Sequence, residues 1–515
     1  MAIVTPVSPG ELAPGARRRL RLASPATLEP IDEIEVATAA DVVAALEAAR
    51  KAQPAWAARP VAERAQVLWR ALDVLLARMD EYVAVIQRES GKPRTDALMI
   101  EIFAACDALA HFAKRAERML RPRTQRLHGV LALAKKLHLV PRPLGVIGVI
   151  SPWNGPFILS VNPTLQALVA GNAVLLKPSE VTPRSGELVA KLFAEAGLPE
   201  GLLHVLLGDG ETGAALVESG VDKVSFTGSV GTGRKVGEAC ARRLVPCTLE
   251  LGGKDPMIVC ADADLDRAAG GALAGAFFNA GQVCFSTERV YVVDAVYDEF
   301  VRRVVERTRT LRQGSGGEFE IGPMIWPRQL EIVEQHVADA IAKGAKVLIG
   351  GRRNPALEGL YFEPTVLVDV THDMAILREE TFGPVLPIVR VRDEEEALRL
   401  ANDCRYGLGA TVWTRDATKG VALATRIDSG SVCVNDMTMT YGAPEAPFGG
   451  RKESGVGYVH GPDALLSYCH VQAVLVDRLG GRQTASHFPY SAAKDAGMQK
   501  FMRFLWSTPL RRFVG

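Results

Sequence analysis

The chain has 515 residues, 48% hydrophobic and 23% charged, with a formal net charge of +1. That length exceeds one ordinary core and predicts two or three globular domains. The balanced charge gives no basis for nucleic-acid binding, and nine scattered histidines without ligand spacing predict no metal site. Eight cysteines, at 106, 240, 247, 260, 284, 404, 433 and 469, include no CxxC pair. This is not a disulfide scaffold, and it points to a reducing compartment. Met1–Arg19 contains Pro6, Pro9 and Pro14 and no apolar h-region, so it does not read as a secretory signal. A cytoplasmic protein is expected.

Residues 1 to about 24 read as a loose arm. From Asp41 the pattern is helical, with Val42, Ala45, Leu46 and Ala49 on one face. Further helices are expected over 62–79 and 97–120. No charge occurs between Arg142 and Lys177, which imitates a membrane span. Pro143, Pro152, Pro156 and Pro163, with Asn154, Asn162 and Asn172, interrupt it. A lipid-exposed helix could not satisfy that backbone, and buried parallel strands joined by a helix fit better. The strands expected are 144–150, 173–177, 204–207 and 223–226, separated by helices over 162–170, 185–196 and 211–219. This alternation predicts a doubly wound parallel sheet. A second αβ series runs from Pro256 to about Arg451, with strands at 257–259, 290–293, 347–349 and 411–413. No repeat or linker marks the boundary near 254.

Two short motifs carry a nucleophile and a base. Cys284 ends the stretch Phe277-Phe278-Asn279-Ala280-Gly281-Gln282-Val283-Cys284, and Glu250 lies in Thr248-Leu249-Glu250-Leu251-Gly252-Gly253-Lys254. An ionised thiol is a strong nucleophile, and a carboxylate can take a proton from it or from water. Phe226-Thr227-Gly228-Ser229-Val230-Gly231-Thr232-Gly233 follows a strand and opens a helix, so its N–H groups can face a phosphate; a bare glycine turn is the alternative. Lys177-Pro178-Ser179-Glu180 ends another strand and reads either as a ribose site or as a solvated pair. Asn154, in Pro152-Trp153-Asn154-Gly155-Pro156-Phe157, can offer an amide to an oxyanion or cap a turn.

Together with Glu379-Glu380-Thr381-Phe382-Gly383-Pro384-Val385 and Pro447-Phe448-Gly449-Gly450-Arg451-Lys452-Glu453-Ser454-Gly455, these motifs resemble, in their order, the NAD(P)-dependent aldehyde dehydrogenases. The resemblance covers roughly residues 25 to 475. It implies an α/β fold with a Rossmann-type coenzyme domain, an α/β catalytic domain and a small β oligomerisation element. The divisions expected are 25–123 with 144–253, then 254–460, then 124–143 with 461–476. It also implies Cys284 as nucleophile, Glu250 as base and Asn154 as oxyanion donor. The implied coenzyme residues are Trp153, Lys177, Glu180, Gly228, Ser229, Gly233, Leu251, Glu380 and Phe382. The Glu180 carboxylate favours NAD, with NADP the alternative. Phe157, Val283, Phe285, Met437 and Tyr441 should line the substrate tunnel. Most of these are apolar or aromatic, which fits a medium- or long-chain aliphatic or an aromatic aldehyde; succinic semialdehyde is the alternative substrate. A non-catalytic protein on the same scaffold, and an esterase using the same thiol, are the rival classes.

Two departures concern the second carboxylate relay of many family members. Gly457 is followed by Tyr458-Val459-His460, and His470 stands where a second Glu is frequent. Beyond Asp477, seven basic residues (Arg478, Arg482, Lys494, Lys500, Arg503, Arg511 and Arg512) stand against Asp477 and Asp495. Met498, Phe501, Met502 and Leu505 fall on one helical face. This extension, 477–515, can pack on the enzyme or a neighbouring subunit, cap the tunnel, or lie on an anionic membrane. A homodimer or homotetramer is expected, because the oligomerisation strands need partners.

Overall fold

A computed structural model describes residues 3–8, 11, 17–315, 317–437, 440–478, 480 and 487–514. Pro9, Pro14, Thr438, Met439, Arg482 and the Phe513 side chain lie outside the described residues. The N-terminal segment is not wholly a loose arm. Val4–Pro6 pairs antiparallel with Arg19–Ala23, which pairs with Pro30–Glu35. Leu20, Leu22, Ile34 and Val36 bury a small core beneath this sheet. Alternation in Arg19-Leu20-Arg21-Leu22 turns the leucines inward and leaves the arginines to pair with Glu33 and Glu35.

The coenzyme sheet runs, in spatial order, 455–456, 247–250, 223–227, 146–150, 173–177, 203–205. All neighbours are parallel except the first pair. Val146, Ile147 and Val149 are buried, as are all of Ala173–Lys177, because helices cover both faces. The uncharged stretch after Arg142 is therefore strand, helix (Ile158–Val169) and strand. From Val146–Ile150 the chain winds outward to 203–205, then returns to lay Lys223–Thr227 on the opposite side. That reversal is a topological switch point, and the crevice at the carboxyl ends of the two strands is where such sheets bind ligands.

The second sheet runs 346–349, 365–368, 385–391, 287–293, 255–259, 411–413, 433–434, with only the first pair antiparallel. Cys469–Asp477 pairs along its full length with Lys135–Pro143, which also pairs with Arg123–Gln125. One boundary differs from expectation. Residues 441–468, expected mostly in the catalytic domain, make contacts on both sides, and Arg451–Lys452 pairs with Tyr406–Gly407. Gly455–Val456 adds an edge strand beside Leu249–Glu250, and Leu465 and Tyr468 are buried with the coenzyme-side residues. The chain order conceals this, because the edge strand is only two residues long.

Candidate active site

Cys284 is presented by an unusual turn. Asn279, Ala280 and Gly281 adopt left-handed φ values of 52°, 54° and 73°. Two consecutive non-glycine residues in that region cost of order 1–3 kcal/mol each, so their surroundings must hold them there. Asn279 N donates to Asp96 Oδ2 (3.0 Å), and Asn279 Nδ2 donates to the carbonyls of Asn154 (3.0 Å) and Gln282 (3.1 Å). Gln282 Nε2 donates to Asn279 O (2.9 Å), while its Oε1 accepts from Ile325 N (2.7 Å). A Cβ on Gly281 would collide with the Gly383 carbonyl, so glycine is required there.

Asn154 is fixed through the same network. Its carbonyl accepts from Lys92 Nζ (2.9 Å), and Lys92 is paired with Glu101 (2.6 Å), both side chains being buried. Glu101 Oε2 in turn accepts from the N–H groups of Phe157 and Ile158 at the start of the Ile158–Val169 helix. Asn154 Nδ2 donates one hydrogen to Gln282 O (3.0 Å). An amide carries two donors, so the second is left for a ligand. Asn154 and Cys284 line the same two cavities.

Glu250 ends the Cys247–Glu250 strand, and its buried carboxylate has no partner among the described residues other than the Cys284 thiol. Burial pushes it up to about 7, against an opposing pull from the Cys284 thiol. Burial likewise pushes the thiol well above its ordinary range, with the charge of Glu250 adding to the effect. The resting pair therefore keeps the thiol protonated beside a carboxyl poised near neutrality. The next residues let backbone approach: a Cβ on Gly253 would meet the Cys284 carbonyl at 2.5 Å, and one on Gly252 would collide with Glu380.

The opposite wall hangs on Glu288. Its oxygens accept from Thr381 N (2.8 Å) and Phe382 N (2.8 Å), and it pairs with Lys254, which also donates to Thr381 Oγ1 (3.1 Å). This holds Phe382 at a φ of 50° with its ring edge-on to Trp153, centroids 5.5 Å apart. Glu380 Oε1 accepts from Gly253 N (3.1 Å), and burial pushes it up to about 8.

Trp153, Asn154, Gly228, Ser229, Glu250, Leu251, Cys284, Glu380 and Phe382 come together around one cleft of about 110 Å³. Lys177 and Glu180 pair with each other (3.0 Å) at the end of the neighbouring strand, outside that lining. Gly233 sits one turn into the helix, where a Cβ would collide with Leu251. These residues fit a dinucleotide. Ser229 caps the Val230–Arg242 helix by accepting from Thr232 N, and a Cβ on Gly231 would meet nothing within 4 Å, so the helix N-terminus faces open space.

A second cavity, about 180 Å³, opens on the other side of Cys284. Val283, Phe285, Met437 and Tyr441 line it as expected, with Met99, Ile100, Phe103, Ile158 and Leu159. Phe157 does not. It is fully buried, edge-on to Tyr82 at 5.4 Å, because the helix that begins at Ile158 turns Ile158 and Leu159 toward the cavity instead. Tyr441 stacks on Phe285 (5.6 Å) and lies 4.5 Å from the His460 ring. Burial pushes His460 down to about 4, so it is neutral at pH 7. Among the described residues no Lys or Arg lines this cavity, and Asp107 does.

Sequence reasoning missed Lys92, Asp96, Glu101 and Glu288, and the π-helical turn Ala97–Phe103 that supplies one wall. Glu101, alone between Ile100 and Ile102 on an otherwise apolar stretch, was the one available signal. Among the described residues Cys260, Asp262 and Glu394 offer the one grouping with metal-ligand geometry, and Lys419 is already paired with both carboxylates.

A half-buried thiol beside a buried carboxyl, next to a switch-point crevice with an open helix N-terminus, is the arrangement of an enzyme that binds a nucleotide against a nucleophile. Residues 13–474 match the sequence profile of the Aldehyde dehydrogenase family. The chain is 43% identical over 462 residues to a 4,4'-diapolycopene aldehyde oxidase of Methylomonas sp (90% of this chain, 86% of that one). It is 44% identical over 450 residues to a Mycolicibacterium smegmatis protein provisionally named an NADP(+) succinate-semialdehyde dehydrogenase (87% and 86%). The crystal structure of a Mycobacterium tuberculosis aldehyde dehydrogenase complexed with NAD+ superposes with a TM-score of 0.86 at 36% identity (92% and 97%). An Escherichia coli NADP dependent enzyme superposes with 0.85 at 35% identity (89% and 94%). The chain belongs to the aldehyde dehydrogenase family and is an NAD(P)-dependent aldehyde dehydrogenase.

Proposed function

We propose that this enzyme oxidises uncharged aldehydes, medium- or long-chain aliphatic or aromatic, to carboxylic acids. The observation that carries this reading is the cavity beyond Cys284, apolar along most of its lining and with no Lys or Arg among the described residues that line it. A long apolar chain gains by leaving water there, roughly 0.8 kcal/mol per buried methylene. The carboxylate of succinic semialdehyde would find Asp107 and no cationic partner, a cost that opposes that alternative.

In the proposed chemistry, Glu250 takes the Cys284 proton and the thiolate attacks the aldehyde carbon. The free N–H of Asn154 and the Cys284 backbone N–H receive the developing oxyanion. NAD(P), when bound, supplies the hydride acceptor. Trp153, Gly228, Ser229, Gly233, Leu251, Glu380 and Phe382 would hold it, with Lys177 and Glu180 at its adenosine ribose and NAD favoured by the Glu180 carboxylate. Glu250, once it has passed the first proton to solvent, accepts a proton from the water that attacks the thioester; the C–S bond breaks, the acid is released, and the leaving thiolate regains that proton to restore Cys284. Residues 25–123 with 144–253 form the coenzyme part in this reading, and 254–440 the catalytic part. The long, exposed Cys469–Asp477 edge points to a homodimer or homotetramer.

NAD(P)H formation over aldehydes of rising chain length, with benzaldehyde and succinic semialdehyde, tests the substrate. The expected result is a kcat/KM that climbs with chain length. A higher kcat/KM on succinic semialdehyde than on decanal overturns the assignment.

A further inference from the structure

The C-terminal segment is the largest feature that the reaction leaves unused. After Ser491, whose Oγ accepts from Lys494 N (3.2 Å), residues Ala492–Trp506 form a helix, and Arg511–Val514 adds a final turn. Its apolar side chains are not packed down. Phe504 is 58% and Trp506 50% exposed, Met498, Phe501 and Met502 are similarly open, and only Leu505 is buried (5%). Phe488 and Tyr490, ahead of the helix, are also exposed, and their rings pack on each other. Lys500 and Arg503, three residues apart, share the face opposite Met498 and Phe501.

Charge is concentrated here as well. Residues 487–514 carry Lys494, Lys500, Arg503, Arg511 and Arg512 against Asp495 alone, whereas the whole chain is only +1, so the remainder is net negative. A docking partner must therefore be anionic and must accept protruding aromatic and methionine side chains. Two such tails facing each other would repel. No helix among the described residues is long and apolar enough to cross a membrane. An amphipathic helix of this composition lies in the plane of a bilayer interface, with aromatic groups inserted and cations among the headgroups.

We propose that residues 487–512 dock the enzyme on an anionic lipid surface. If the substrate reading above is right, that surface is also where long apolar aldehydes partition; the docking itself does not depend on that reading.

The test is co-sedimentation of the full-length enzyme with vesicles of phosphatidylglycerol and phosphatidylcholine, or of phosphatidylcholine alone. Two variants accompany it: Lys500→Glu/Arg503→Glu/Arg511→Glu/Arg512→Glu, and Phe501→Ser/Phe504→Ser/Trp506→Ser. The bound fraction should be high only on the anionic vesicles and fall about ten-fold or more in the charge variant. It should fall comparably in the aromatic variant, with turnover on a short soluble aldehyde and the light-scattering mass unchanged in both. Absence of pelleting, or pelleting that neither variant reduces, overturns the proposal. A drop in mass in either variant assigns the tail to a neighbouring subunit and overturns it too.

Discussion

The two walls of the coenzyme cleft each bury a glutamate and use it in opposite ways. On one wall Glu288 is fully committed, with Lys254 and two backbone N–H groups sharing its oxygens. On the other, Glu250 is as deeply buried and has no partner among the described residues other than the Cys284 thiol. The satisfied carboxylate fixes backbone, holding Phe382 in a conformation it would not adopt alone. The other keeps a proton affinity near neutrality, which a general base needs and a structural ion pair would abolish. Stability and chemistry are thus divided between two residues of the same type.

The contrast breaks most visibly in turnover. Glu250→Gln should lower steady-state NAD(P)H formation by roughly 100- to 10,000-fold, the range for loss of a positioned acid or base; unchanged turnover would remove Glu250 from the mechanism. Next in size, Glu288→Gln leaves Lys254 charged and unpaired in the interior. It should destabilise the fold by about 3–5 kcal/mol, read by urea denaturation; a loss comparable to that of a surface Glu→Gln control would show the pair to be dispensable. The smallest effect has the opposite sign. Glu250 has a folded pKa of about 7 against an ordinary 4.5, so the native state binds its proton more tightly than the unfolded chain does. Its contribution to stability is complete below pH 4.5 and is lost as pH rises through 7. Glu250→Gln should therefore stabilise the enzyme by about 1–3 kcal/mol at pH 8 and by less at pH 5. Equal effects at the two pH values would place the benefit elsewhere.

Most strands were legible in the sequence because buried parallel strands are short apolar runs separated by amphipathic helices. Cys284, Glu250, Asn154 and the Gly228–Gly233 turn were legible because each lies in a contiguous motif. The support beneath them was not. Lys92 reaches Asn154, Asp96 reaches Asn279, and Glu288 reaches Phe382, contacts between residues far apart in the chain that no local pattern encodes. Phe157 failed for a related reason, since adjacency to a motif does not say which way a side chain turns at the start of a helix. Likewise, prolines and a missing helical period made residues 1–24 read as a loose arm, although Val4–Pro6 pairs with Arg19–Ala23.

The strand that carries Glu250 has a last consequence. Its outer neighbour is Gly455–Val456, and Leu251 N donates to Ser454 O (3.0 Å). The base's strand therefore gains its outer partner from residues more than 200 positions further along the chain. A single sheet edge thus ties the position of the base to the far end of the family's order of motifs, and a chain ended before Gly455 would leave Glu250 on an open edge.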